Sequence, residues 1–363
     1  MGKQQKIFFD FLRFCIGSAK EIPDSLKEEA DWKELYAIAK KQALLGVLFD
    51  GIKKLPAEHV RMKKELLLQW MAESQMLENV NVRLNDAAIQ VSEWFRKKGF
   101  RTCILKGQGN ALMYPNHYSR TPGDIDIWVE GGDKRVISFV RSISPHEKAC
   151  YHHIEFPSYK GVEVEVHYRP SFLQCFWHNR KLQKYYERVK EEQFSHRIML
   201  GEQGEIAIPT VKFNLIFQLT HIFSHLMNEG IGLRQLLDYY YLNSMLSVNC
   251  EMLTSLQKEL EELGLWKFAG AIMYIMHEVF GMPASRLIVP PNEKYGKFVL
   301  KEVLEAGNFG KHDGRNCFGK SQFGHNLQRV YRDMRLVRYF PAEALCEPIF
   351  RTWHFFWRMK NKK

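Results

Sequence analysis

The sequence is poor in the residues that mark several protein classes. With 24 Gly and 13 Pro in 363 residues, it is neither collagen-like nor of low complexity. No stretch approaches the roughly 20 apolar residues that a spanning helix needs. The N-terminal run MGKQQKIFFDFLRFCIGSAKEIPD is interrupted by Asp10 and Arg13 and lacks a small-residue cleavage site, so it is expected to be an amphipathic helix, not a signal peptide. The 7 cysteines (15, 103, 150, 175, 250, 317 and 346) are scattered, odd in number and without a CxxC pair. That pattern argues against a disulfide framework or structural zinc and makes the cytoplasm the expected compartment.

What is present is aromatic and basic. The 25 Phe, 15 Tyr and 8 Trp supply enough buriable surface to exclude disorder. The net charge of +11 invites a nucleic acid, an anionic membrane or a phosphorylated substrate. The surplus is uneven, however. Residues 291–363 hold 15 Lys and Arg against 7 Asp and Glu, a net of +8, which leaves +3 for the rest. The charge therefore does not select the substrate of the preceding segments.

Periodicity divides the chain into four parts. Residues 1–98 read as an N-terminal helical region, with apolar residues at three- and four-residue intervals. Residues 99–210 read as an α/β core. RTCILKG is a buried strand ending in a turn, GNALMY a short helix, DIDIWVE an alternating strand, and DKRVISFVRSI a helix. HHIEFPSY and VEVEVHYRP form a hairpin turning at Lys160-Gly161. Residues 211–290 read as a helical bundle. Residues 291–363 form a basic C-terminal extension with a Gly-rich loop (GNFGKHDGRNCFGKSQFG) and two helices. The fold class expected is α+β, a small mixed core between helical flanks.

The densest chemistry lies in GDIDIWVE. Alternate residues of a strand share a face, so Asp124 and Asp126 point one way and Ile125 and Ile127 the other. Paired carboxylates need a compensating cation, and oxygen ligands suit a hard divalent ion, Mg²⁺ with Mn²⁺ as the alternative. In VEVEVHYR, Glu163, Glu165 and His167 alternate with valines and share a face. Glu165 is thus a candidate third ligand for the two-metal arrangement used in nucleotidyl displacement. A glycine at the Lys106-Gly107 strand–helix junction lets backbone amides approach phosphates. A DxD alone occurs often by chance on a solvated strand. It gains weight from the order of these parts.

LKGQGNALMYPNHYSRTPGDIDIWVE resembles the signature of a bacterial family of uncharacterised nucleotidyltransferases within the DNA polymerase beta superfamily. The matching positions are Lys106, Gly107, Ala111, Tyr114, Pro115, Arg120, Asp124 and Asp126, followed by Glu165 and His167, then Leu236, Leu237 and Asp238. YAIAKKQALLGVLFDGI resembles the family's N-terminal helix, and the likeness spans about residues 33–285. The resemblance implies a polymerase-beta-like core and transfer of a nucleoside monophosphate from an NTP to an acceptor, a small molecule or protein being favoured. It implies that Asp124, Asp126 and Glu165 bind metal and catalyse, that Lys106, Gly107, Gln108 and Arg120 face the nucleotide, and that His167 and Asp238 support the site or touch substrate. Gln108 stands where the wider superfamily carries a phosphate-contacting Ser. This departure leaves open an alternative, a lapsed nucleotidyltransferase fold serving as a scaffold and recruited by its basic tail.

Other candidates have plainer readings. His221 and His225 share a helix face, but without HExxH they read as packing or substrate contacts. His152 and His153 open a strand, where adjacent residues diverge, so joint ligation is not expected. Arg234 and Asp238, four apart, suit a helix ion pair. Arg329, Arg332, Arg335 and Arg338 recur every three residues, which makes a spiral, not a flat basic face. FRTWHFFWRMKNKK (residues 350–363) is a candidate contact for nucleic acid or membrane through 351–363, though docking of Trp353, Phe356 and Trp357 on the protein body is the preferred expectation.

Overall fold

Five helices open the chain: α1 (Lys3–Ile16), α2 (Asp24–Glu29), α3 (Trp32–Lys41), α4 (Leu45–Ile52) and α5 (Lys64–Lys97). The computed structural model describes residues 2–201, 204–246, 250–315 and 322–361. In α1, Phe8, Phe11 and Leu12 are buried, as expected for an amphipathic helix. Asp31 starts α3 by accepting from the Lys33 and Glu34 amides at 2.9 and 3.1 Å. The 34 residues of α5 span about 50 Å at 1.5 Å per residue. This helix bridges two hydrophobic cores. Trp70 packs in one and donates to Leu45 O at 3.0 Å, while Leu84, Val91 and Phe95 pack in the other.

The middle of the chain supplies β1 (Thr102–Ile104), α6 (Gln108–Ala111), β2 (Ile125–Val129), α7 (Gly132–Ile143), β3 (His153–Tyr159) and β4 (Val162–His167). The four strands form one mixed sheet in the order β1-β2-β4-β3. β2 and β4 run parallel, with Asp126 opposite Glu165 and Trp128 opposite His167. β1 and β3 flank them antiparallel. Lys160 and Gly161 both have positive φ, 52° and 78°, the backbone of a tight hairpin turn. α8 (Phe176–Ser195) and a hairpin of β5 (Arg197–Leu200) and β6 (Gly204–Ala207) follow. Neither was expected from the sequence, because α8 is strongly charged and the strands are only four residues each.

Helices then dominate: α9 (Val211–Asn228), α10 (Leu233–Ser244), α11 (Cys250–Glu262), α12 (Trp266–Glu278), α13 (Glu293–Ala306), α14 (Gln322–Leu336) and α15 (Pro341–Lys360). The C-terminal part thus carries three helices where the sequence suggested two. Part of its Gly-rich loop, 316–321, lies outside the described residues, as do 362 and 363. No helix among the described residues is long and apolar enough to cross a membrane.

Strand alternation puts the sheet between its two cores. Ile125, Ile127, Val129, Val164 and Val166 face the core shared with α5 and α7. Cys103, Leu105 and Trp128 face the helical bundle, where Trp128 meets Phe194 and Phe213 with ring centroids at 4.6 and 5.8 Å. Asp126, Glu165 and His167 share this second face, so the bundle becomes the opposite wall of a cleft.

The basic extension is part of that wall. Arg332 donates to Asn228 O and Glu229 O at the end of α9. Glu343 Oε2 accepts from the Gln174 and Cys175 amides at 2.7 and 3.0 Å, and the Tyr151 amide donates to His354 Nε2 at 3.0 Å. Trp353 packs on Tyr151 and Phe350, and Trp357 lies partly buried against the second core. Phe356 does not dock as expected; it is 62 % exposed.

Candidate active site

The turn after β1 and the loop before β2 deliver the key groups. Gly107 adopts φ 67° between β1 and α6, and a Cβ there would meet Asp124 O at 3.6 Å. α6 is only four residues long, so the helix-end contribution expected there is slight. The loop carrying Asp124 is fixed from two sides. Asn81 Nδ2 of α5 donates to Tyr118 O and Arg120 O at 2.8 and 2.7 Å. Gly46 of α4 lies so close to the loop that a Cβ would fall 2.2 Å from Ser119 O.

Asp124, Asp126 and Glu165 converge, each with a carboxylate oxygen within 4.8 Å of the others. The parallel register makes this possible, because it sets Asp126 beside Glu165 on the adjacent strand. Asp126 is 1 % exposed; its Oδ1 accepts from Lys106 Nζ and His167 Nε2, both at 3.0 Å. Its Oδ2 is buried and has no hydrogen-bond partner among the described residues. Glu165 Oε2 lies 3.4 Å from His167 Nε2 and 3.3 Å from His153 Nδ1.

The electrostatics follow from this crowding. The adjacent Asp126 charge, with burial, raises the Asp124 pKa. Burial would raise Asp126 as well, but Lys106 and the His167 hydrogen bond hold it well below the usual carboxylate range. Burial opposes charge on His167, yet hydrogen bonds to Asp126 and Glu165 raise its pKa to about 9. Burial likewise opposes charge on Lys106, and the fields of Asp126, Asp124 and Glu165 outweigh it. Three carboxylates therefore face two cations. The uncompensated charge and the unpartnered Asp126 Oδ2 fit a hard cation bound through oxygen.

The nucleotide-facing residues expected from the sequence separate here. Lys106 and Gly107 line the cleft beside Asp124 and Asp126. Gln108 is buried, its Oε1 has no partner among the described residues, and it lines neither cavity that contains the carboxylates. Arg120 lines the same recess as Lys106 and Asp124, but its guanidinium is paired with Asp238. Its Nε and Nη2 bind Asp238 Oδ1 and Oδ2, both at 2.8 Å, and Tyr114 Oη donates to Oδ1 at 2.7 Å. This buried pair ties the Asp124 loop to α10, so Arg120 and Asp238 position the loop. The expected Arg234–Asp238 helix pair is replaced by it. Arg234 donates to Thr121 O at 3.2 Å, its Nε is buried without a partner among the described residues, and it lines the same recess as Lys106 and Asp124.

Several cleft residues were not expected. A larger cavity of about 450 Å³ runs from the carboxylates to the C-terminal helices, where Arg329, Phe350, Arg351 and His354 line it. These four belong to the segment that the sequence marks only as a basic C-terminal extension. His221 Nε2 lies 3.1 Å from Lys106 Nζ and 3.0 Å from His225 Nε2, so this pair buttresses the lysine. Adjacent His152 and His153 come together, with Nε2 and Nδ1 3.1 Å apart, because only His153 belongs to β3.

The architecture is a mostly helical α+β fold with a small mixed sheet, carrying a carboxylate cluster opposite a helical wall. Residues 28–281 match the profile of a family described as uncharacterised nucleotidyltransferase, and the chain belongs to that family. No curated protein matches. Among solved structures, an antigenic nucleotidyltransferase-like protein from Paracoccidioides brasiliensis matches at 15 % identity with a TM-score of 0.30, over 52 % of this chain and 88 % of that one.

Proposed function

We propose that this protein transfers a nucleoside monophosphate from an NTP to an acceptor, and that Asp124, Asp126 and Glu165 hold Mg²⁺ or Mn²⁺. The observation that carries the reading is the convergence of three carboxylates around a buried, unpartnered Asp126 oxygen. A bound divalent ion would supply charge neutralisation at the phosphates and polarise the phosphorus–oxygen bond. Lys106 and Arg234 supply cations on the donor side, Arg234 taking the part that the sequence suggested for Arg120. The acceptor oxygen attacks the α-phosphorus, the bond to the β-phosphate oxygen breaks, and pyrophosphate leaves. Glu165 takes the acceptor's proton, and His153 and His167 hold its carboxylate in place. The cleft extending toward α14 and α15 has room for the acceptor, a small molecule or a protein side chain.

Calorimetric titration of the full chain with ATP, GTP, CTP and UTP in the presence of Mg²⁺ tests this. At least one nucleotide should bind, with Mg²⁺ dependence that Asp126→Asn removes. Absence of binding by all four, or an unchanged Asp126→Asn variant, ends the proposal.

A further inference from the structure

A second cluster of donor atoms, chemically unlike the carboxylates, sits on the rim of the same cleft. The Cys150 amide donates to His153 O at 2.9 Å, and an isolated bridge joins Ala149 to Ile154. This closes a tight turn that gathers Cys150, His152 and His153. One ligand atom from each lies within 4.8 Å of the others. Cys150 Sγ is 3.5 Å from His152 Nδ1, while His153 Nδ1 approaches the other ring nitrogen, Nε2, at 3.1 Å, so joint ligation requires one of the two rings to turn. A tetrahedral zinc with Zn–S of about 2.3 Å and Zn–N of about 2.0–2.1 Å holds its sulfur and nitrogen ligands about 3.5 Å apart. Cys150 and His153 also border a separate cavity of about 530 Å³, so the cluster is reached from two sides.

We propose that Cys150, His152 and His153 form a binding site for a thiophilic transition-metal ion, with Zn²⁺ the best fit, adjoining the hard-cation site of the carboxylates, His153 turning from Glu165 to ligate it. Thiolate and imidazole select zinc over magnesium. Burial raises the Cys150 thiol to about 11, so binding must release its proton to solvent. Three protein ligands leave a fourth position open, as in zinc sites that bind water or substrate.

The test uses chelator-stripped, full-length protein titrated with Zn²⁺ in excess Mg²⁺, and with Co²⁺ as a spectroscopic probe. One equivalent should bind, and Co²⁺ should show a thiolate charge-transfer band. Cys150→Ser should abolish that band, and Cys150→Ser and His152→Gln should each weaken Zn²⁺ binding at least 10-fold, while Asp124→Asn keeps it. Circular dichroism of the metal-free variants checks folding, and the Cys150→Ser spectrum decides the matter if His152→Gln does not fold. No stoichiometric binding, a band unchanged in Cys150→Ser, or loss of binding in Asp124→Asn would overturn the assignment. None of these readouts depends on nucleotidyl transfer.

A different observation supports a surface. On α15, Leu345, Ile349, Phe356 and Met359 are exposed and fall on one side of the helix. Neighbouring α14 exposes Val330 and Met334, the latter 70 % exposed. The carboxylates of the two helices and their connection, Asp333, Glu343 and Glu347, are buried, whereas Arg338 and Lys360 are exposed. Apolar side chains flanked by cations, with no exposed carboxylate among the described residues of this pair, match the chemistry of an anionic bilayer surface.

We infer that the outer face of α14 and α15 lies on anionic lipid. Co-sedimentation of the full chain should be at least 10-fold greater with vesicles of phosphatidylcholine containing phosphatidylglycerol than with phosphatidylcholine alone. Joint Leu345→Ser, Ile349→Ser and Phe356→Ser should reduce it at least 10-fold, and Arg338→Glu with Lys360→Glu should do so independently. Equal recovery with both vesicles, or binding to RNA but not to vesicles, would overturn it.

Discussion

Asp126 and Asp238 are both almost wholly buried, yet they are finished differently. Asp238 accepts from Arg120 through both oxygens, with Tyr114 and Asn110 adding further donors. Asp126 crowds Lys106 and His167 onto one oxygen and leaves the other without a hydrogen-bond partner among the described residues. The first is a closed joint between a loop and a helix. The second keeps one oxygen unspent, as the proposed metal site requires. A buried carboxylate signals a binding function when its lone pairs are unspent, not merely because it is buried.

Charge counting turns the contrast into the largest expected effect. Around Asp238 lie two buried cations, Arg120 and Arg234, so Asp238→Asn leaves both uncompensated. Breaking such a pair from one side costs about 3–5 kcal/mol. Urea denaturation should show this loss. The double variant Arg120→Met/Asp238→Leu should recover much of it, because no orphaned partner remains. If Asp238→Asn is as stable as the native protein, the joint has been misread.

Asp126→Asn should behave in the opposite way. Three carboxylates face Lys106 and His167, so the substitution balances the cluster. Its stability change should be about 1 kcal/mol or less, within the ordinary range for point variants. Catalysis should nevertheless fall by at least about 100-fold, since loss of a direct ligand exceeds the 10–100-fold cost of an outer partner. The thermal shift produced by Mg²⁺ should vanish with it. A variant that is strongly destabilised but still metal-responsive would reverse the roles assigned to the two aspartates.

The two halves of this comparison were unequally legible in the sequence. Strand alternation exposes Asp126, Glu165 and His167 because a period of two fixes their faces before any tertiary contact exists. The Arg120–Asp238 joint links residues 118 apart, and local spacing proposed Arg234 as the partner instead. Alternation also failed at His152, which precedes β3 and so obeys the geometry of a turn. The mixed core between helical flanks could be read from periodicity. The folding of the basic extension over the cleft could not, since it depends on long-range contacts such as Glu343 capping the chain at Gln174 and Cys175.

A third buried carboxylate sharpens the contrast with the smallest expected effect. Burial and the facing Glu347 raise the pKa of Asp333 from 3.8 to about 7, against the pull of Arg351 and Arg332. Here an acid meets an acid. Between these values the native state binds a proton that the unfolded state has released, so stability falls as pH rises from about 4 to 7. Asp333→Asn cannot titrate and should flatten that part of the profile, raising the urea midpoint near pH 7 relative to the native protein and leaving it little changed near pH 4. A profile that keeps its slope in the variant would mean that Asp333 is ionised in the folded protein. Its environment would then resemble that of Asp238 instead of standing as a third kind of buried carboxylate.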